Sequence, residues 1–179
     1  PDLAIDPKNR LKEFKALIKR THQAGMKVII DIVPNHVARR YEGKTNPKGV
    51  SDFGYGDDTS VEYQKDNNYY YIPGTEFQTP VWRDGYLPLG GNPINLPDSK
   101  LIEVPAKWTG NGSRSPQPDM NDWYETVRIN YGVRPDGGLD FDILPNDFGE
   151  RDYKEHYNYW KNKVVPSSWR KFRDVALYW

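Results

Sequence analysis

The run Met26–Val33 limits the fold more than any other stretch of the chain. It reads Met-Lys-Val-Ile-Ile-Asp-Ile-Val, short, almost wholly apolar and rich in β-branched residues. That pattern predicts a strand buried on both faces, as in a parallel sheet wrapped in helices. Pro34 has no N–H to offer a ladder and ends the run, so Asn35 and His36 stand just past its carboxyl edge. Side chains alternate along a strand, which points Asp31 and Val33 the same way, with Asn35 following if the extended path carries through the proline. In α/β folds that edge is where ligands bind.

A helix is expected to feed this strand. Asn9 can cap it, the body runs over 10–24, and Glu13 in the first turn suits the helix dipole. Leu11, Phe14, Leu17, Ile18 and Thr21 form one apolar stripe, and Gly25 supplies the stop. Helix and strand make half of a βαβ unit whose earlier strand would precede Pro1, and a start at proline rather than methionine suggests an excised or processed piece. Towards the end, 152–163 predicts a charged, aromatic helix. Ser167 or Ser168 then caps another, with Trp169, Phe172, Val175, Ala176 and Trp179 on a face that needs a partner.

Between these parts the character changes. Much of the chain's 13 Tyr, 15 Gly and 15 Pro falls between residues 40 and 140, among polar residues. Such a segment makes short strands and tight turns around small aromatic clusters. Strands are expected at 69–72, 101–104 and 125–129, separated by turns at Asp84-Gly85, Gly90-Gly91-Asn92-Pro93 and Pro135-Asp136-Gly137-Gly138. The chain thus divides into 1–40, an inserted region 41–140, and 141–179. With 25 basic and 25 acidic residues and a net charge of zero, nothing argues for nucleic acid or an anionic membrane as partner. No apolar run is long enough to span a bilayer, and no signal peptide is visible. The absence of cysteine excludes disulfides and thiolate chemistry and leaves the compartment open.

Two motifs together resemble the α-amylase family of glycoside hydrolases. Asp31-Ile32-Val33-Pro34-Asn35-His36 matches the family's D-x-V-x-N-H at the end of the third barrel strand, and Gln117-Pro118-Asp119-Met120-Asn121 resembles the short motif near the end of the inserted domain. The lead-in Ile5-Asp6-Pro7 and the segment His22–Ile29 agree. The resemblance implies an α/β fold, a partial (β/α)8 (TIM) barrel segment carrying an irregular, aromatic-rich inserted domain. It implies that His36 hydrogen-bonds the sugar at the cleavage subsite and that Asp31 is a buried supporting acid. Asn35 and Asp119 would be calcium ligands, although Gln-Pro-Asp-Met-Asn is closest to a variant found in members acting on short α-1,6-linked oligosaccharides, some of which lack the ion. Calcium takes such amide and carboxylate oxygens from loops. The implied substrate is an α-glucan or maltooligosaccharide, and the compartment is periplasmic or extracellular for a scavenging enzyme and cytoplasmic otherwise.

The family's retaining chemistry needs two carboxyls about 5 Å apart, and no catalytic carboxylate is identified in this chain. Gly138-Leu139-Asp140-Phe141-Asp142 superficially resembles the nucleophile motif G-F-R-x-D, but it lacks the arginine, has no apolar strand before it, and precedes the helix it should follow. The expectation is a fragment of a retaining α-glucan-acting enzyme, inactive by itself and prone to self-associate over its uncovered helix face. The rival is a non-catalytic carbohydrate-binding module. Trp82, Trp108, Trp123 and nearby tyrosines offer faces for sugar stacking, and also the rings from which an irregular insertion builds its core; the core role is expected for most of them.

Overall fold

The computed structural model describes residues 4–43, 46, 48–81, 102–142 and 144–178. They fall into two compact units, Pro1–Val33 and Pro34–Trp179.

In the first unit the expected helix is α1, Arg10–Gln23. Its start differs from expectation: Asn9 makes no side-chain cap bond. Asp6 acts instead, accepting from Lys8 N at 2.9 Å, while Glu13 reaches back to the N–H of Ile5 (2.9 Å) and of Asp6 (3.2 Å). The stop is as expected. Gly25 takes φ 76°, and the bonds Met26 N to Thr21 O (3.1 Å) and Gly25 N to His22 O (3.0 Å) close a Schellman motif. Leu11, Phe14, Ile18 and Thr21 are partly covered, whereas Leu17 is half exposed.

The strand expected at Met26–Val33 is not formed. These residues have no ladder, and Ile29 is 93% exposed. A strand of this composition needs neighbours to pair its N–H and C=O groups and helices to cover both faces. Among the described residues no strand pairs with it.

The second unit is built on short antiparallel ladders. β1 (His36–Ala38) pairs with β4 (Thr126–Arg128) in the register His36↔Arg128 and Val37↔Val127. β2 (Tyr71–Ile72) pairs with β3 (Ala106–Lys107). Isolated bridges Tyr69↔Ile129 and Thr109↔Val127 link the two ladders. The strands expected at 69–72 and 125–129 are thus present in shortened form. The one expected at 101–104 is displaced to Ala106–Lys107, and Leu101 and the turns at 84–85 and 90–93 lie outside the described residues.

The core beneath these ladders is Phe53, Tyr69, Tyr71, Val127 and Ile129, with Val37, Tyr131 and Phe172 against its edge. Full burial of a side chain such as Ile129 is worth about 1.5–3 kcal/mol. Polar residues close the irregular parts. Asn67, Asn68 and Asn130 are each at most 1% exposed, and each side chain stands in for ladder bonds the backbone lacks. Asn130 donates to the carbonyls of Gln64 and Asn67, both at 2.9 Å, and accepts from Gly132 N at 2.8 Å. Asn68 accepts from Gly54 N (3.0 Å) and Lys171 Nζ (2.7 Å) and donates to Ser167 Oγ (2.7 Å). Buried polar groups are tolerated only when so paired.

Two further helices follow. α2 (Tyr153–Lys161) begins with a capping box between Asp152 and Glu155. α3 (Ser167–Tyr178) takes both serines expected as caps into its first turn, where they are tied to the insertion instead: Ser167 Oγ donates to Asp66 O at 2.7 Å, and the fully buried Ser168 accepts from Asn68 at 3.2 Å. Part of the α3 stripe finds a partner there, since Phe172 lies 5.2 Å from the Phe53 ring and 5.9 Å from Tyr131. Trp179 lies outside the described residues.

Candidate functional site

His36 opens β1, and its pairing with β4 fixes its backbone opposite Arg128. Its side chain is half-buried in an edge-to-face contact with Trp123, with ring centroids 5.2 Å apart and planes at 62°. Nδ1 is buried with no hydrogen-bond partner among the described residues, and Nε2 is the nitrogen left open.

The close approach depends on Gly110. A Cβ there would lie 2.1 Å from Thr126 Oγ1 and 3.2 Å from His36 Cβ, so only hydrogen fits beneath the histidine. Trp123 is held by its backbone: its N–H donates to Asn111 Oδ1 at 3.3 Å, and its carbonyl accepts from Thr126 N (3.1 Å) and Oγ1 (2.9 Å). Trp123 is nevertheless 50% exposed. Asn111 in turn donates to Asp122 Oδ1 at 2.8 Å, and Asp122 Oδ2 accepts from Asp119 N at 2.9 Å. A chain of hydrogen bonds therefore runs from Asp119 to the tryptophan beside His36.

Asp119 itself is exposed and turns Oδ1 toward the N–H and the amide of Asn121, at 3.0 and 2.9 Å. Asn35 is exposed too, with its carbonyl accepting from Ile129 N at 3.2 Å. Both are oxygen donors on irregular backbone. Among the described residues no three His, Cys, Asp or Glu side chains gather into a metal cluster. Asp31, expected as a buried supporting acid, is instead exposed in the first unit, because no strand among the described residues pairs with Met26–Val33 to help cover it.

A buried ionic brace lies at the end of β1. Arg39 donates from Nη1 to Glu103 Oε1 at 2.5 Å and from Nε to Tyr124 O at 2.7 Å, and its guanidinium stands 3.9 Å over the Phe77 ring. Glu103 also takes Lys107 N (2.8 Å) and Nζ (3.1 Å). Burial pushes the Arg39 pKa down, and the Glu103 charge beside it opposes that shift. The brace joins β1 to β3 and to the segment entering β4, the same ladder that sets His36.

The other aromatic candidates separate cleanly. Trp108 is 6% exposed, stacked on Tyr70 at 4.5 Å and covered by Arg114 at 4.2 Å, and so belongs to the core. Trp82 lies outside the described residues. Asp140, in the segment set aside above, is held by Tyr63 Oη and by Arg134 Nη1, both at 2.7 Å. The tyrosine bond first, then the arginine, keeps its pKa below the usual carboxylate range. Such an acid is a structural anchor. Sequence reasoning singled out His36 as a candidate and named Trp123 among rings open to either role, but passed over Gly110, Asn111, Arg39 and Glu103, whose contacts depend on partners distant in the chain.

A family model described as alpha amylase, catalytic domain, matches residues 5–128. No curated protein and no solved structure matches the chain.

Proposed function

Since the chain belongs to the α-amylase catalytic-domain family, whose members are glycoside hydrolases built on a TIM barrel, we propose that it is the substrate-facing part of an α-glucan-acting enzyme. In this reading 1–40 and 141–179 are barrel segments and 41–140 is the inserted domain. His36 donates from Nε2 to a hydroxyl of the bound sugar. The enzyme cleaves α-1,4 or α-1,6 glucosidic bonds with retention, using carboxylates that these residues do not supply. The observation that carries the proposal is the half-buried His36, with one nitrogen open beside an exposed indole, inside the matched residues.

Asn35 and Asp119 are proposed as two of the oxygen ligands of a calcium ion, whose charge would pin the inserted domain to the barrel. An amide and a carboxylate on loops have the donor chemistry calcium takes. No step of the reaction is assigned to the ion. Calcium titration by calorimetry, with Asp119→Asn as control, tests this.

The test of the main proposal is paired. The 179-residue chain is expected to release no reducing sugar from maltoheptaose while still binding it. Release of reducing sugar would overturn the claim that the reacting groups lie elsewhere, and absence of binding would overturn the α-glucan reading. A carbohydrate-binding module is the second reading, favoured by the exposure of Trp123. It predicts the same binding, but also that a longer form of the protein lacks hydrolysis. Self-association over α3 is proposed as well, and a monomer in concentrated light scattering would contradict it. Among the described residues no helix is long and apolar enough to cross a membrane.

A further inference from the structure

Half-exposed aromatic rings on loops are common, and most carry no function. Trp123 differs in three respects. Its backbone is clamped on both sides, by Asn111 Oδ1 and by the two donors of Thr126. The residue is still 50% exposed. It meets His36 in an edge-to-face contact, and His36 is a histidine whose Nδ1 is buried and unpaired among the described residues, so that the imidazole and the exposed Trp123 belong to one place.

A ring fixed in this way loses little conformational entropy when a ligand covers it. A pyranose offers complementary chemistry, an apolar C–H face for the indole and hydroxyls at its rim for the His36 donor. The other tryptophans described in the second unit do not offer this. Trp108 is stacked within the core, and Trp160 and Trp169 pack on each other at 4.9 Å.

We propose that Trp123 is the stacking platform for the glucosyl unit whose hydroxyl His36 binds, so that the pair reads one sugar by its face and its rim. This rests on the α-glucan reading above and adds to it the residue that determines whether a pyranose is held. Asn111 and Gly110 are positioning residues for the pair: Asn111 anchors the tryptophan backbone, and Gly110 leaves room for the histidine.

The experiment is a maltotetraose titration of the full chain followed by the indole Nε1–H signals in two-dimensional NMR, with the Trp123 signal assigned by its loss in Trp123→Phe. The expected result is a ligand-dependent shift of that signal, with affinity lowered about tenfold or more in Trp123→Ala and retained within about threefold in Trp123→Phe. The Phe variant, which keeps a stacking ring, guards against a mere failure to fold. If the wild type binds and Trp123→Ala binds equally well, the platform role is overturned while the α-glucan reading stands. If the wild type binds no maltotetraose, that reading falls and this inference with it.

Discussion

Replacing Arg39 with methionine is the sharpest structural perturbation. The side chains of Arg39 and Glu103 are only 2% and 7% exposed, so removing the guanidinium strands a carboxylate away from water. Breaking one side of a buried pair costs about 3–5 kcal/mol. Glu103 retains Lys107 N at 2.8 Å and Nζ at 3.1 Å, which places the expected loss near the lower end, about 3 kcal/mol. The carbonyls of Tyr124 and Lys107 lose a donor as well. For a chain of this size each kcal/mol lowers the melting midpoint by about 2–4 °C, so Arg39→Met should melt about 6–12 °C lower by circular dichroism or calorimetry. Replacing both partners, Arg39→Met with Glu103→Leu, should recover much of the loss, because a packed apolar pair leaves no unpaired charge, and Lys107 Nζ, on a side chain 19% exposed, can turn to water. A single variant melting within about 1 °C of the wild type, or a double variant less stable than the single, would refute the assignment of this brace as the tie between β1 and its neighbours.

Two other substitutions test neighbouring parts of the argument. Gly110→Ala must push Thr126 or His36 aside, given the 2.1 and 3.2 Å approaches. It is expected to cost about 1–3 kcal/mol and to shift the His36 ring resonances, and unchanged resonances would show that the packing under the histidine is loose. Asp140→Asn should change the response to acid. The Asp140 pKa is depressed below 3.8 in the fold, so its carboxylate stabilises the chain above about pH 4 and that contribution is lost as pH falls through the folded value. Denaturation midpoints measured from pH 6 down to pH 2 should fall less steeply in the variant, and parallel curves would contradict the role given to Tyr63 and Arg134.

What could be read from the sequence was local. Gly25 at φ 76° ends α1 because the signal and its effect sit within one turn. Met26–Val33 shows the limit. Its apolar run states what the segment would bury and does not supply the strands that would pair with it. The β1–β4 ladder joins residues 36–38 to 126–128, and no periodicity in either short segment encodes that register. The polar core was hidden for a related reason. Asn67, Asn68 and Asn130 look like loop residues, and only the fold brings Gln64, Gly54 and Lys171 within reach of their amides. His36 was visible because its motif is contiguous, whereas Gly110 and Asn111, which shape its surroundings, sit in an ordinary Thr-Gly-Asn-Gly turn.

The central claim is that this chain presents the sugar-facing side of an α-glucan site around His36. The most direct measurement is chemical-shift mapping of the isotopically labelled chain with maltotetraose, compared with His36→Ala. The account predicts saturable shifts that cluster at His36, Gly110 and Trp123 and collapse in the variant. Shifts centred elsewhere, or unchanged by His36→Ala, would contradict it.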